Sequence, residues 1–101
     1  MFVYNVTVKL MHAIEAEWLQ WMKEEHIPEV LATNMFHDFK LLHLEEPIDE
    51  EGITYIVQYF TDSREKYQHY IAQFAPDLRN KGFAKFGDQF IAFRTFMRII
   101  S

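Results

Sequence analysis

The sequence predicts an α+β fold in the order βαββαβ, a four-stranded antiparallel sheet with its helices on one face. Three observations carry this. Phe2 to Leu10 alternates with a period of two, the mark of a half-buried strand. Ile14, Trp18, Trp21 and Met22 recur at the spacing of one helical face. Two further β-rich runs flank an acidic stretch punctuated by Pro47 and Gly52, the pattern of a hairpin with a long charged loop.

In the first strand Phe2, Tyr4, Val6, Val8 and Leu10 share one side, and Val3, Asn5, Thr7 and Lys9 share the other. The first helix is expected from Ile14 to roughly Glu25, with Glu15, Glu17, Lys23 and Glu24 largely off its apolar stripe. Pro28 disfavours α geometry at Ile27, so the helix is expected to stop near His26. Pro28 then suits the first turn of a second short helix through about Ala32, ended by Thr33-Asn34. Phe36 to Leu44 and Ile53 to Phe60 read as strands, joined across Glu45–Gly52. Asp62 and Ser63 are N-cap candidates for a helix with Tyr67, Tyr70, Ile71 and Phe74 on one face. Pro76 breaks or restarts it, a second piece runs to about Ala84, and Gly87 opens the last segment. There FIAFRTFMRII fits both periods, since Phe83, Phe86, Phe90, Phe93 and Met97 also recur at helical spacing. Its density of Phe, Ile and Thr, and its lack of helix formers after Ala92, predict a strand. This order is the split βαβ of ferredoxin-like folds. Residues 1–101 read as one such domain.

Composition excludes several function classes. The net charge is −5, and Glu45 to Glu51 holds five acids and no base, so the remaining residues balance. No Lys/Arg cluster exists, and a nucleic-acid partner is not expected. There is no cysteine, hence no disulfide frame and no thiolate chemistry. The N-terminus alternates like a strand and does not read as a signal peptide. No run approaches the ~20 apolar residues of a membrane span. A cytoplasmic, soluble protein without a membrane partner is expected. Half of the residues are hydrophobic and 17% are aromatic. In so short a chain that apolar surface points to self-association.

The sheet carries the functional signal. The even positions of strand one, the odd positions of strand three and the odd positions of strand four are expected beneath the helices. The opposite faces are then mixed: Val3, Asn5, Thr7, Thr54, Ile56, Gln58, Phe60, Arg94, Phe96 and Arg98. The simplest cover for such a face is a second copy of the chain, sheet against sheet, enclosing a barrel-like space. Asn5, Gln58 and Arg94 are expected to point inward there. They form either a pocket for an anionic or polar small molecule or a polar network within the interface, and the interface network is the plainer reading.

Other candidates follow from residue type. Trp18 and Trp21 fit the buried stripe better than a pocket wall, with Trp21 toward the stripe's edge. Tyr4, Tyr55 and Tyr59 pack as core aromatics whose hydroxyls can line a cavity edge, and Tyr59 joins Trp21 among the ligand-binding candidates. His26 is either an acid/base group or an axial haem ligand, or else a residue favoured by the C-terminal end of a helix dipole. His69 is the other candidate acid/base. His12, His37, His43 and His69 show no metal spacing, and no metal is expected. No GxSxG, phosphate-loop or dinucleotide motif is present, and no cofactor is expected.

The segments MxVYNVTV, WxxWMKxxHIPxVLAT, TYxVQY and FxAFRT resemble one small family, described as a domain of unknown function. The resemblance covers nearly the whole chain, and the WxxWM…HIP segment is its most specific part. It implies a ferredoxin-like domain of the dimeric α/β-barrel kind. That wider group includes haem-degrading and cofactor-independent monooxygenases, whose pocket lies between helices and sheet. Some haem-degrading members depend on an Asn in strand one, with a Trp and a His on the second helix. Asn5 and His69 match two of these, but no Trp follows residue 21. The expected function is a homodimer that binds a small molecule or a partner. The alternative is a monooxygenase-like or isomerase-like enzyme acting on a small apolar or aromatic substrate.

Overall fold

The structure, a computed structural model, describes residues 1–101. Four strands, β1 (Phe2–Leu10), β2 (Asp38–His43), β3 (Ile53–Thr61) and β4 (Phe90–Arg98), form one antiparallel sheet in the order β2-β3-β1-β4. Between β1 and β2 lie a 3₁₀ turn (His12–Ile14), α1 (Glu15–Trp21), a π-helical turn (Met22–His26) and α2 (Ile27–Ala32). Between β3 and β4 lie α3 (Arg64–Gln73) and α4 (Ala75–Phe86). No helix is long and apolar enough to cross a membrane.

Register fixes the faces. Tyr4 stands opposite Tyr59 and Phe96, Val6 opposite Val57 and Arg94, and Val8 opposite Tyr55 and Ala92. These rows face the helices, where Trp18, Ile27, Val30, Val57 and Tyr59 are almost wholly buried. Burial on that scale stabilises by roughly 1.5–3 kcal/mol per large apolar side chain. The other face presents Val3, Phe60 and Met97 in one row, Asn5, Gln58 and Thr95 in the next, and Thr7, Ile56 and Phe93 in a third.

The expected faces of β1 and β3 hold, but the fourth strand is out of phase with its expectation. Its even positions, Arg94 and Phe96 included, lie on the helix side, and Ile91, Phe93 and Met97 face away. Both parities of β4 are apolar, so hydrophobicity alone could not set the phase. Pairing with β1 does, because one residue of slip exchanges the faces. Phe96 fits the helix side by stacking on Tyr67, ring centroids 3.8 Å apart.

Pro28 does not stop the first helix. The chain stays right-handed helical through Met22, His26 and Ile27. A proline ring clashes with the carbonyl four residues before it and brings no N–H. The chain widens instead, and the Ile27 N–H donates to the Met22 carbonyl five residues back. Asn34, with φ 65°, closes α2 in the left-handed region that asparagine tolerates. Ser63 caps α3, its side chain accepting from the Lys66 N–H at 3.2 Å. Pro76 lies in the first turn of α4, and Gly87 ends that helix with φ 60°.

Candidate functional site

A cavity of about 60 Å³, open at one side, lies between the helices and the sheet. β1 and β3 supply its floor through Val6, Val57 and Tyr59, and β4 supplies one wall through Phe90, Ala92 and Arg94. Trp18, Trp21, Met22 and His26 come from the first helical run. Tyr70 and the α4 residues Leu78, Arg79 and Gly82 close the other side. Arg94 is exposed because β4 is an edge strand, so its guanidinium stands where the cavity meets solvent.

The π turn places His26. Widening the helix by one residue turns the imidazole toward the sheet, where it stacks on Trp21 with centroids 4.7 Å apart and planes 23° from parallel. Its Nδ1 is buried without a hydrogen-bond partner. Burial pushes the imidazole down to about 4; Glu29 opposes this, while Arg94 and Lys81 add to it. His26 is therefore neutral at pH 7. π turns of this kind are frequent at functional sites.

Tyr59 carries the second orphan. Its ring is 2% exposed, and its hydroxyl is buried with no partner. Burial, with Tyr70 and Tyr4 alongside, pushes the phenol upward, so it stays a protonated donor. Tyr70 is raised too, first by burial. Arg79 donates from Nη2 to the Tyr4 hydroxyl at 3.1 Å, which holds the guanidinium over the sheet. The arrangement thus offers a neutral imidazole nitrogen, phenol donors and two guanidinium groups among aromatic walls.

The cavity brings together six of the residues singled out from sequence: Tyr4, Trp18, Trp21, His26, Tyr59 and Arg94. Asn5 and Gln58 are not among them. They lie on the opposite sheet face, because Arg94 pairs with Val6 and not with Asn5. There Gln58 Nε2 donates to Asn5 Oδ1 at 3.3 Å, and Asn5 Nδ2 donates to Thr7 Oγ1 at 3.2 Å. These groups partner one another within the chain. His69 also stands apart. It is exposed on α3 with its edge on Phe74, because Tyr70 takes the buried side of that helix. Tyr55 leaves the cavity too, donating its hydroxyl to Glu15 at 2.7 Å. No three His, Asp or Glu side chains converge as a metal site would require.

Sequence reasoning missed Arg79, Tyr70 and Gly82 as cavity residues. One signal was present: Leu78, Gly82 and Phe86 recur at helical spacing. A glycine on such a stripe marks a close approach. A Cβ at Gly82 meets Trp21 at 3.5 Å and Phe90 at 3.6 Å.

Residues 1–100 match the family described as Domain of unknown function (DUF4286). The chain belongs to this family. Among solved structures, this DUF4286 chain is similar to an ethyl tert-butyl ether d (EthD) family protein from Bacillus halodurans. That match has a TM-score of 0.73 at 14% identity and covers 99% of this chain and 100% of the other. It is also similar to SnoaB, a cofactor-independent oxygenase from Streptomyces nogalater, with a TM-score of 0.69 at 12% identity over 99% and 94% of the two chains. A dimeric ferredoxin-like protein from an uncultured marine organism matches with a TM-score of 0.66 at 18% identity, over 100% and 96%. At these identities the likeness shows the fold, which is ferredoxin-like. No curated protein matches this DUF4286 chain in sequence.

Proposed function

We propose that the protein is a homodimer, sheet against sheet, and that each protomer holds a small molecule in its helix–sheet cavity. One observation carries the binding reading. Two residues that line the cavity each carry a buried polar atom with no partner in the fold, His26 Nδ1 and the Tyr59 hydroxyl. Leaving such a group unsatisfied costs about 1–3 kcal/mol, and a ligand with complementary donors and acceptors recovers that. His26, Tyr59, Trp21 and Arg94 are the contacts this reading assigns. The dimer is supported by the open sheet face, where Phe93 is 62% and Ile91 57% exposed on one edge strand with Met97, and Leu42 is exposed on the opposite edge strand. It is supported also by the similarity to a protein described as dimeric.

Native mass spectrometry of protein purified from its own cells tests both parts. A mass of two chains plus bound small molecules is expected. A clean monomer overturns the dimer, and a ligand that survives Trp21→Ala and Tyr59→Phe unchanged overturns the site.

A second reading draws on His26 alone. The His26 imidazole is neutral at pH 7, so its unprotonated ring nitrogen can accept a proton from an acidic C–H or O–H, as a base that burial weakens. That chemistry fits an oxygenase or isomerase working on a small apolar substrate, and SnoaB shares the fold. With a turned-over substrate in hand, His26→Gln is expected to abolish turnover while binding persists. Full activity in that variant rules out His26 as the base.

A further inference from the structure

We infer that the cavity selects an anion, and specifically a small organic carboxylate whose short apolar part enters between Trp21 and Phe90. This rests on the cavity being the binding site proposed above. The chain is acidic overall, at −5, yet no Asp or Glu lines this cavity. Two arginines do, Arg79 and Arg94. Neither guanidinium belongs to an ion pair, since the five ion pairs of the fold all use Lys or His as the base. Arg79 commits one donor to Tyr4 and leaves the rest of its planar fork free. An uncompensated pair of guanidinium groups beside a low-polarity space is a receptor for a planar, two-oxygen anion.

The remaining surface sets the rest of the ligand. Between the arginines and His26 the walls are Val6, Trp21, Phe90 and Ala92, which fit an apolar body. A cavity of about 150 Å³ holds benzene. The enclosed 60 Å³ therefore takes a fragment of a few carbons, with any larger portion emerging past Arg94. A nucleotide is too large for this space, and no glycine-rich turn lines it to cradle a phosphate chain.

Isobutyrate and its uncharged isostere isobutyramide, titrated in parallel and followed by amide chemical shifts of the intact protein, test this. The acid is expected to move the amides of residues 21–26, 78–82 and 90–94 and to bind at least tenfold more tightly than the amide. Arg94→Gln, at an exposed position the fold tolerates, is expected to bring the two affinities within threefold. Equal binding of acid and amide to the wild type overturns the anion inference and leaves the cavity reading standing. No shift with either compound overturns both. Carboxylate binding unaffected by Arg94→Gln and Arg79→Gln together places the anion elsewhere and also overturns the inference.

Discussion

His26 leaves water on folding and finds no partner at Nδ1, and burial takes its pKa from 6.5 to about 4. Below pH 6.5 the unfolded chain gains a proton that the folded chain refuses until about pH 4. Stability is therefore full above pH 6.5 and falls as pH drops through that window, by up to about 3 kcal/mol. Urea midpoints at pH 7.5, 6 and 5 are expected to decline in the wild type and to stay nearly level in His26→Gln. Parallel declines in both proteins would assign the effect to other groups. Asp49, Asp62 and Glu65, whose carboxyls are held low by hydrogen bonds from Lys9, Lys66 and the Glu65 backbone respectively, act only in a more acidic range. Gly82 yields a second prediction at this scale. Its missing Cβ has ordinary contact distances on offer, so Gly82→Ala is expected to gain about 0.5–1 kcal/mol from helix propensity. A loss of stability in thermal melts would mean that the added methyl disturbs the packing of Trp21 and Phe90 at these distances.

At the scale of elements, local signals were legible wherever one rule acted alone. The alternation of β1, the turn residues of the β2–β3 hairpin and the Ser63 cap each carried one meaning, and each appears where expected. Ser63→Ala is expected to cost about 1 kcal/mol through loss of that cap, read as a lowered denaturation midpoint. Two elements defeated the reading because two rules competed. In β4 both parities are apolar, and only the distant partner strand chooses between them. That choice moved Arg94 from the Asn5–Gln58 face into the cavity, so half of the candidate site was legible and its grouping was not. At Pro28 the sequence spelled a stop, and packing kept the helix going through a π turn. The widened turn already absorbs the proline, so Pro28→Ala is expected to change stability by less than about 1 kcal/mol, against roughly 3 kcal/mol for a proline in an ordinary helix interior. A larger change in urea unfolding would show that the proline itself holds the turn open.

At the scale of the whole molecule, the sheet has one face sealed by helices and one face uncovered. The uncovered face carries a hydrogen-bonded Asn5–Gln58 pair in its middle and Ile91, Phe93 and Met97 along its β4 edge. Phe93→Asp places a charge on that face without touching the helix-side core, and a partner sheet cannot bury an unpaired carboxylate cheaply. Sedimentation velocity is expected to show the variant as a folded monomer where the wild type is a dimer. A dimer that survives the charge would move the interface off this face. The strand order has a further consequence, and it concerns time. Central β1 takes both of its neighbours from far along the chain: Tyr4 meets Tyr59 on one side and Phe96 on the other. Pairings of such long sequence separation close slowly, because loop entropy is lost before contacts reward it. The β4 residues that wall the cavity arrive with the more distant of the two pairings. Any folding species that lacks the β1–β4 pairing lacks the Phe90, Ala92 and Arg94 wall, so the site is complete only once β4 has joined the sheet.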